Sequence, residues 1–192
     1  RYREGTTQVA LDEARRALAL DPRMAEAHYL AALCLRDLGQ PDDAITALED
    51  AARLAPDLLA AREELADLYV AAGRRAAQVE QLQLLTVLDR RPVRDAALAL
   101  AQARAGQPDL AILSLTGQLQ GSADRPLLSA TIGRIWLMLA ETSRERTDAL
   151  PNALEALARA ASAPSATSEV KALYGRALTL AGQFEAAEEV FQ

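Results

Sequence analysis

Residues 25–56 read AEAHYLAALCLRDLGQPDDAITALEDAARLAP. Apolar residues recur every three or four positions on both sides of Gly39, which predicts two amphipathic helices. Gly39 is placed to end the first helix in the left-handed conformation, and Pro41 opens the second, where its missing N–H costs nothing. Pro56 then closes the stretch. The pattern predicts a helical hairpin with a tight turn.

The turn position of this hairpin recurs along the chain at a nearly constant spacing. Its equivalents are Gly39, Gly73, Gly106, Ala140 and Gly182, at steps of 34, 33, 34 and 42 residues. The last step becomes 34 once an insertion of eight residues, Glu141–Asp148, is set aside. Five residues after each turn position, beyond the insertion in the fourth case, stand Ala44, Gln78, Ala111, Ala153 and Ala187, with Ala10 one step earlier. A fixed period of this length indicates a stacked array of one helical unit.

The same pattern predicts a helix pair around each turn and a lone helix before the first pair. The predicted helices are Thr6–Leu20, Ala25–Leu38, Pro41 up to Pro56, Leu59–Ala71, Arg74–Leu88, Val93–Ala105, Pro108–Leu119, Pro126–Leu139, Ala149–Ser162, Thr167–Ala181 and Phe184–Gln192. Asp148 is expected to cap the helix that carries Pro151 in its first turn.

These units resemble the tetratricopeptide repeat family over essentially the whole chain. The large–small pairs of the first helices are Ala31-Ala32, Leu65-Ala66, Leu98-Ala99, Ile132-Gly133 and Tyr174-Gly175. The packing residues that follow them are Leu35, Tyr69, Gln102, Trp136 and Leu178, and the late large residues of the second helices are Leu48, Leu82, Leu115, Leu157 and Phe191. The departures from the family pattern are Gln78 and Gln118 in place of alanine and Arg90 in place of a closing proline.

The resemblance implies an all-α fold, a right-handed superhelical solenoid of antiparallel helix pairs. It implies one array over residues 1–192, with a partial repeat at 1–22, repeats at 23–56, 57–90, 91–123 and 124–165, and an incomplete repeat at 166–192. Trp136 is expected in the core rather than on a ligand-facing surface. Gly133 should lie where two helices approach closely, so a larger residue there should overpack the core.

Composition limits the kinds of function. The net charge of −6 disfavours a nucleic-acid partner, because phosphate binding needs a basic face. No apolar stretch is long enough for a membrane-spanning helix, so direct membrane insertion is not expected. Cys34 and His28 lie on different faces of one predicted helix, and the chain has no second cysteine or histidine. We therefore expect no metal, cofactor or catalytic site, and we expect that the chain is not an enzyme.

First helices line the concave face of such an array, so their outward residues form the predicted partner-binding groove. The predicted set is Glu26, Tyr29, Leu33, Arg36, Asp37, Glu63, Asp67, Val70, Leu100, Arg104 and Arg134, with Ala60, Ala97, Leu127, Leu137, Glu169, Ala172 and Arg176 as further positions. Family members that clamp a C-terminal carboxylate do so through slots that here hold Tyr29, Leu33, Ala60 and Glu64, so the resemblance does not extend to that chemistry. The acidic residues at the start of the groove predict a basic or mixed extended partner.

Two classes of function remain open. One is a protein–protein interaction scaffold that presents its groove to a peptide or docks as a subunit of a larger assembly. The other is a segment of a larger protein, such as a bacterial envelope exopolysaccharide-export protein or the substrate-selecting arm of an enzyme. The ends motivate the second class, because the chain begins at Arg1 without a methionine and neither end has a polar cap.

The same ends predict self-association through uncapped helices. We expect either a cytoplasmic or a periplasmic location, between which the sequence does not choose. The insertion Glu141–Asp148 is either a solvated loop or a partner-specific contact.

Overall fold

The computed structural model describes residues 2–121 and 124–190, which form eleven α-helices. These are α1 (Tyr2–Leu20), α2 (Ala25–Asp37), α3 (Pro41–Leu54), α4 (Leu59–Ala71), α5 (Arg75–Leu88), α6 (Pro92–Arg104), α7 (Pro108–Gln118), α8 (Arg125–Thr142), α9 (Ala149–Ala161), α10 (Ser168–Leu180) and α11 (Phe184–Glu189). The chain divides between residues 90 and 91, a predicted repeat boundary, into two compact units. Unit 1 holds α1–α5 and unit 2 holds α6–α11. A single array over residues 1–192 stays a prediction.

Unit 1 is a stack in which each helix packs against the next one along the chain. Leu11 of the lone helix α1 lies in the same core as Leu48 and Leu65, and none of the three is more than 2% exposed. Ala32 and Ala44 are fully buried among these leucines. Small residues at such positions let the helices approach without leaving voids.

Unit 2 contains the helix pairs α6–α7, α8–α9 and α10–α11. Its central element is α8, which packs against α6, α7, α9 and α10. One core cluster contains Leu115, Leu128 and Ile135, and another contains Leu137 and Leu157. The all-α class and the stacking of antiparallel helix pairs are thereby confirmed.

Four of the five repeated turn positions are glycines in the left-handed conformation. Their φ angles are +75° at Gly39, +70° at Gly73, +88° at Gly106 and +76° at Gly182. A residue with a β-carbon would be strained at each of them. Ala140, the fifth position, lies inside α8, which continues to Thr142. The insertion therefore begins by lengthening a helix rather than by opening a loop.

Most predicted helix ends agree with the structure to within two residues, with larger differences at the start of α1 and the end of α8. Helix α1 begins at Tyr2 rather than Thr6. Asp148 precedes α9 as predicted, but its carboxylate makes no capping hydrogen bond and accepts one from Arg146 Nε at 3.3 Å instead. The predicted packing residue Phe191 and the predicted helix end at Gln192 lie outside the described residues, as does the predicted boundary at residue 123.

The predicted packing positions of α5 are less buried than the residues near them. Gln78 and Leu82 are only half-buried, whereas Val79 and Leu85 are buried. Leu85 lies two turns after Gln78 on the same side of the helix, so the predicted face is still the one that packs. The amide of Gln78 would lose its hydration in an apolar core, and this position stays partly exposed. In α1 the predicted position, residue 10, is exposed and the next residue is buried.

Gly133 lies where α8 and α9 touch, and this contact is the most extensive between any two described helices. A β-carbon at this position would lie 2.6 Å from Leu157 Cγ and 3.1 Å from the Leu157 backbone nitrogen. The first distance is shorter than van der Waals contact allows, and the second is tighter than most contacts of a β-carbon. The two helices can pack this closely only because residue 133 has no side chain.

Candidate binding groove

Three first helices of unit 2 surround an open cavity of about 530 Å³, called here the groove. Its apolar lining includes Val93 and Leu100 of α6, Leu127 of α8, and Val170 and Leu173 of α10. Val93 is 55% exposed and Leu127 is 37% exposed. Apolar side chains that remain accessible around a concave surface are typical of a binding site.

The repeat explains why these residues meet. On α6 the groove is lined by residues 93, 97 and 100, and on α8 by residues 127, 131 and 134, each one repeat step of 34 further on. On α10 the step is 42 because of the insertion, and it leads from Leu127 to Glu169 and from Thr131 to Leu173. Spacings of four and three residues place each set on one face of its helix. The groove is therefore built from equivalent positions of three repeats.

An ion pair crosses the groove between α8 and α10. Arg134 donates from a guanidinium nitrogen to Glu169 Oε1 at 3.0 Å, and both side chains are well exposed. An exposed pair of this kind adds little to stability. Its charges therefore remain available to a ligand that offers better-placed partners.

The predicted residues of unit 1 form a charged face on α2 and α4. Arg36 donates to Asp37 at 2.9 Å and to the Glu64 carboxylate of the neighbouring helix. Burial raises the pKa of the Tyr29 hydroxyl, and the charge of Glu64 raises it further. Tyr29, Leu33 and Val70 add apolar surface to this charged face.

The folded protein disfavours the charged form of the Asp67 carboxyl on α4. Burial raises its pKa above the ordinary value of 3.8, and the carboxylates of Glu64 and Glu63 raise it further. Since the folded pKa is the higher one, the folded state binds more protons, and stability falls as the pH rises through the folded pKa. We therefore expect Asp67→Asn to raise the melting temperature at pH 7, and to raise it less at pH 4, where the wild-type carboxyl is partly protonated.

Asp43→Asn is the matched control for this prediction. Asp43 lies in the first turn of α3, where a negative charge is favourable to the helix dipole, so this variant should lower the melting temperature at pH 7. Equal melting temperatures for Asp67→Asn and the wild type at pH 7 would contradict the electrostatic account of α4.

The groove contains some of the residues predicted for it. Leu100 and Arg134 line it, as do Ala97, Leu127 and Glu169 from the wider set. Arg104 lies exposed in the last turn of α6, outside this lining. In unit 1, Glu26, Arg36, Asp37, Glu63, Asp67 and Val70 are exposed and Tyr29 and Leu33 are half-buried. That these residues of unit 1 bind a partner stays a prediction.

Leu137 does not belong to the surface that was predicted for it. It is 2% exposed and packs in the core with Leu157 and Ala177, because its side of α8 faces the helices that follow. Val93, Val170 and Leu173 line the groove but were not predicted. The repeat step was the available signal for these groove residues. It is 34 residues from Val93 to Leu127 and 42 residues from Thr131 to Leu173.

The inserted segment folds back onto unit 2. Arg146 donates to the two carboxylate oxygens of Asp109 on α7 at 3.0 and 3.3 Å, and its guanidinium lies 5.2 Å from the centre of the Trp136 ring. Such stacking is a favourable cation–π contact. Trp136 packs against both core clusters of unit 2, as the repeat pattern predicts. A role of this segment in partner binding stays a prediction.

The contacts of His28 and Cys34 are those of residues that support the fold. His28 Nε2 lies 3.0 Å from the carbonyl oxygen of Pro22, and one repeat later Arg62 Nε donates to the carbonyl of Pro56 at 2.7 Å. Burial raises the pKa of the Cys34 thiol, which lowers its reactivity.

Within residues 2–121 and 124–190, no group of His, Cys, Asp and Glu is placed to hold a metal ion. None of the helices in these ranges has the length and apolar character needed to cross a membrane.

Comparison with known proteins finds similarity at the level of repeats and fold. The family model of the tetratricopeptide repeat matches residues 1–58 and 35–86. PilW, a widely conserved type IV pilus biogenesis factor, matches with a TM-score of 0.65 and 20% identity over 98% of this chain and 84% of its own. YrrB, a TPR protein with an unusual peptide-binding site, matches with a TM-score of 0.58 and 15% identity over 94% of this chain and 90% of its own.

MamA matches with a TM-score of 0.59 and 21% identity over 82% of this chain and 91% of its own. No curated protein matches the sequence. At these identities the structural matches show a shared fold.

Proposed function

We propose that this chain, whose residues 1–86 match the family model of the tetratricopeptide repeat, is a protein–protein interaction scaffold that holds a peptide in its groove. The observation that carries the proposal is the groove of unit 2, where equivalent positions of three repeats present apolar side chains around an open cavity. YrrB offers a precedent, since it is a TPR protein with a peptide-binding site. Docking as a subunit of a larger assembly uses the same surface and remains the related alternative.

The groove favours a peptide with apolar side chains and at least one charged group. Val93 and Leu127 offer accessible apolar surface on two adjacent first helices, and Leu173 extends that surface to the third. Arg134 and Glu169 lie among them and pair with each other in the free protein. A peptide that buries the apolar side chains gains hydrophobic energy, and its own charges set its register against this pair.

Unit 1 favours a basic or mixed partner segment. It contains 16 acidic and 11 basic residues, whereas unit 2 contains 11 acidic and 10 basic residues. Glu63 and Asp67 are exposed on α4, where partial burial of the Asp67 carboxyl, and then the charges of Glu64 and Glu63, raise its pKa. A positive charge from a partner would relieve that repulsion.

Panning a random-peptide phage library against the chain tests the proposal. Enriched peptides should be rich in apolar side chains. Their affinity for the Leu127→Asp variant should be lower by about tenfold or more, because the new charge lies against apolar surface that peptide binding buries. Leu113→Asp is the control, because Leu113 is 72% exposed on α7 and lines no part of the groove. No enrichment, or an equal loss in both variants, would count against a peptide-binding groove.

Charge reversal tests the part of the proposal that concerns unit 1. The double variant Glu63→Lys, Asp67→Lys should weaken any selected peptide that carries basic residues, and more strongly at low salt, because exposed charges are screened by salt. Unchanged binding of basic peptides would count against a peptide-binding face on unit 1. Three further statements stay predictions: the chain is not an enzyme, it does not bind nucleic acid, and it associates with itself through its ends.

A further inference from the structure

A second cavity lies at the junction of three elements of unit 2. It has a volume of about 420 Å³ and is lined by Leu119 and Gln120 after α7, by Arg125, Pro126 and Ser129 of α8, and by Arg159 of α9. Pro126 is the one lining residue that it shares with the groove. It is therefore a separate site, and its chemistry differs because two guanidinium groups and a hydroxyl replace the apolar lining.

Ser129 is the most informative residue of this cavity. It is only 5% exposed, yet its hydroxyl makes no hydrogen bond with the described part of the chain. No fully buried side-chain oxygen or nitrogen among the described residues lacks a partner, so the hydroxyl oxygen keeps some exposure to solvent, and its residue lines the cavity. A serine in the middle of a helix usually turns its hydroxyl to solvent or to the carbonyl one turn earlier. Ser129 makes no such bond with a described carbonyl, so its hydroxyl is left to donate to a ligand in the cavity that it lines.

The two arginines leave positive charge at the same cavity. Arg125 donates to the carbonyl oxygen of Gln120 at 3.2 Å, which orients its guanidinium without neutralising it. Arg159 pairs with Glu155 at 3.2 Å one turn earlier on α9, but both side chains are more than half exposed and the pair is weak. Both arginines therefore keep positive charge that a ligand in the cavity they line can attract.

We propose that this cavity binds a phosphomonoester, presented on a serine or threonine side chain of a protein partner. A compact dianion with three free oxygens matches two forked guanidinium donors and one hydroxyl donor. Arg159 also lines an adjoining cavity of about 580 Å³ with Lys171 and Tyr174, which leaves room for the chain that carries the phosphate. The proposal adds a phosphorylation-dependent contact to the scaffold, and it does not depend on the groove.

Calorimetric titration at fixed ionic strength tests the proposal with three probes: a short phosphoserine peptide, its unphosphorylated counterpart and inorganic phosphate. The phosphoserine peptide should bind measurably and the unphosphorylated one should not. Ser129→Ala and Arg125→Gln should each weaken binding about tenfold. Arg144→Gln is the matched control, since it removes the same charge from the segment that follows the other end of α8.

A stability measurement separates a ligand-binding hydroxyl from a structural one. Without ligand, Ser129→Ala should keep or raise the melting temperature, because it removes a hydroxyl that has no partner. A fall in the melting temperature, or unchanged binding in Ser129→Ala, would overturn the proposal. Equally tight binding of inorganic phosphate would assign the cavity to the free ion. Tighter binding of a short single-stranded DNA would assign it to nucleic acid. Either result would overturn the proposal of a phosphorylated protein partner.

Discussion

Gly133→Leu is expected to destabilise unit 2 by about 3 kcal/mol, at the upper end of the usual cost of overpacking a core. The first atom that the new side chain adds would already lie 2.6 Å from Leu157 Cγ, and the Leu157 backbone nitrogen is 3.1 Å away. The side chain of Leu157 cannot swing aside at no cost, because it is fully buried between α8 and its neighbours. Urea unfolding followed by the fluorescence of Trp136, the only tryptophan, measures this loss in unit 2.

Two further variants show whether close packing is the cause. Gly117→Ala adds a β-carbon to α7 in a place where no atom of another described helix lies within 4 Å of it. Because alanine has the higher helix propensity, this variant should raise the free energy of unfolding by about 0.5–1 kcal/mol. Gly133→Ala should destabilise, and this cost should shrink when Leu157→Ala is also present, because the smaller side chain makes room. Additive effects of Gly133→Ala and Leu157→Ala would show that residues 133 and 157 do not compete for space.

Leu65→Ala is expected to cost unit 1 about 2–5 kcal/mol. Leu65 is 1% exposed on α4 and packs in the core cluster that joins α1 to α4. Its removal leaves a cavity that alanines on neighbouring helices cannot fill, since they are held by their own helices. The loss should appear in urea unfolding followed by circular dichroism.

Leu20→Ala is the control in the same unit. Leu20 is 89% exposed at the end of α1, so its truncation should change the free energy of unfolding by less than about 0.5 kcal/mol. The Trp136 transition of unit 2 offers a second comparison, because Leu65 belongs to the core of unit 1. If the two leucine variants unfold alike, the assignment of Leu65 to the core is wrong.

The repeat period accounts for most of what could be predicted from the sequence. Glycines at a constant spacing indicate left-handed helix ends, and the structure places Gly39 and Gly106 in that conformation. The small residue of the large–small pair at Gly133 indicates close helix packing, and the α8–α9 contact shows it. These features are local or periodic, so one sequence is enough to detect them.

The errors arose where a single residue departs from the period. Gln78 leaves an early packing position of α5 only half-buried, because its amide has a desolvation cost that a repeat template does not include. Leu137 was assigned to the surface by counting from a turn position, yet it faces the helices that follow α8. The contact of Arg146 with Trp136 depends on how an irregular segment folds back, and no periodic signal reports it.

The groove was predicted in outline and its chemistry was not. The notion that outward residues of first helices form a binding surface follows from repeat geometry. The apolar character of the surface in unit 2 depends on which side chains remain accessible after packing, as Val93 and Leu127 do. The pairing of Arg134 with Glu169 depends on the stacking of α8 and α10, which only the three-dimensional structure provides.

Site-specific photo-crosslinking tests the central claim, that a peptide binds in the groove of unit 2. A photoreactive phenylalanine derivative is placed at residue 127, which lines the groove, or at residue 113, which is exposed on α7 outside the groove. Peptides selected by panning should crosslink from residue 127 and not from residue 113, with excess unlabelled peptide abolishing the product. Equal crosslinking from both positions, or crosslinking from residue 113 alone, would contradict the account.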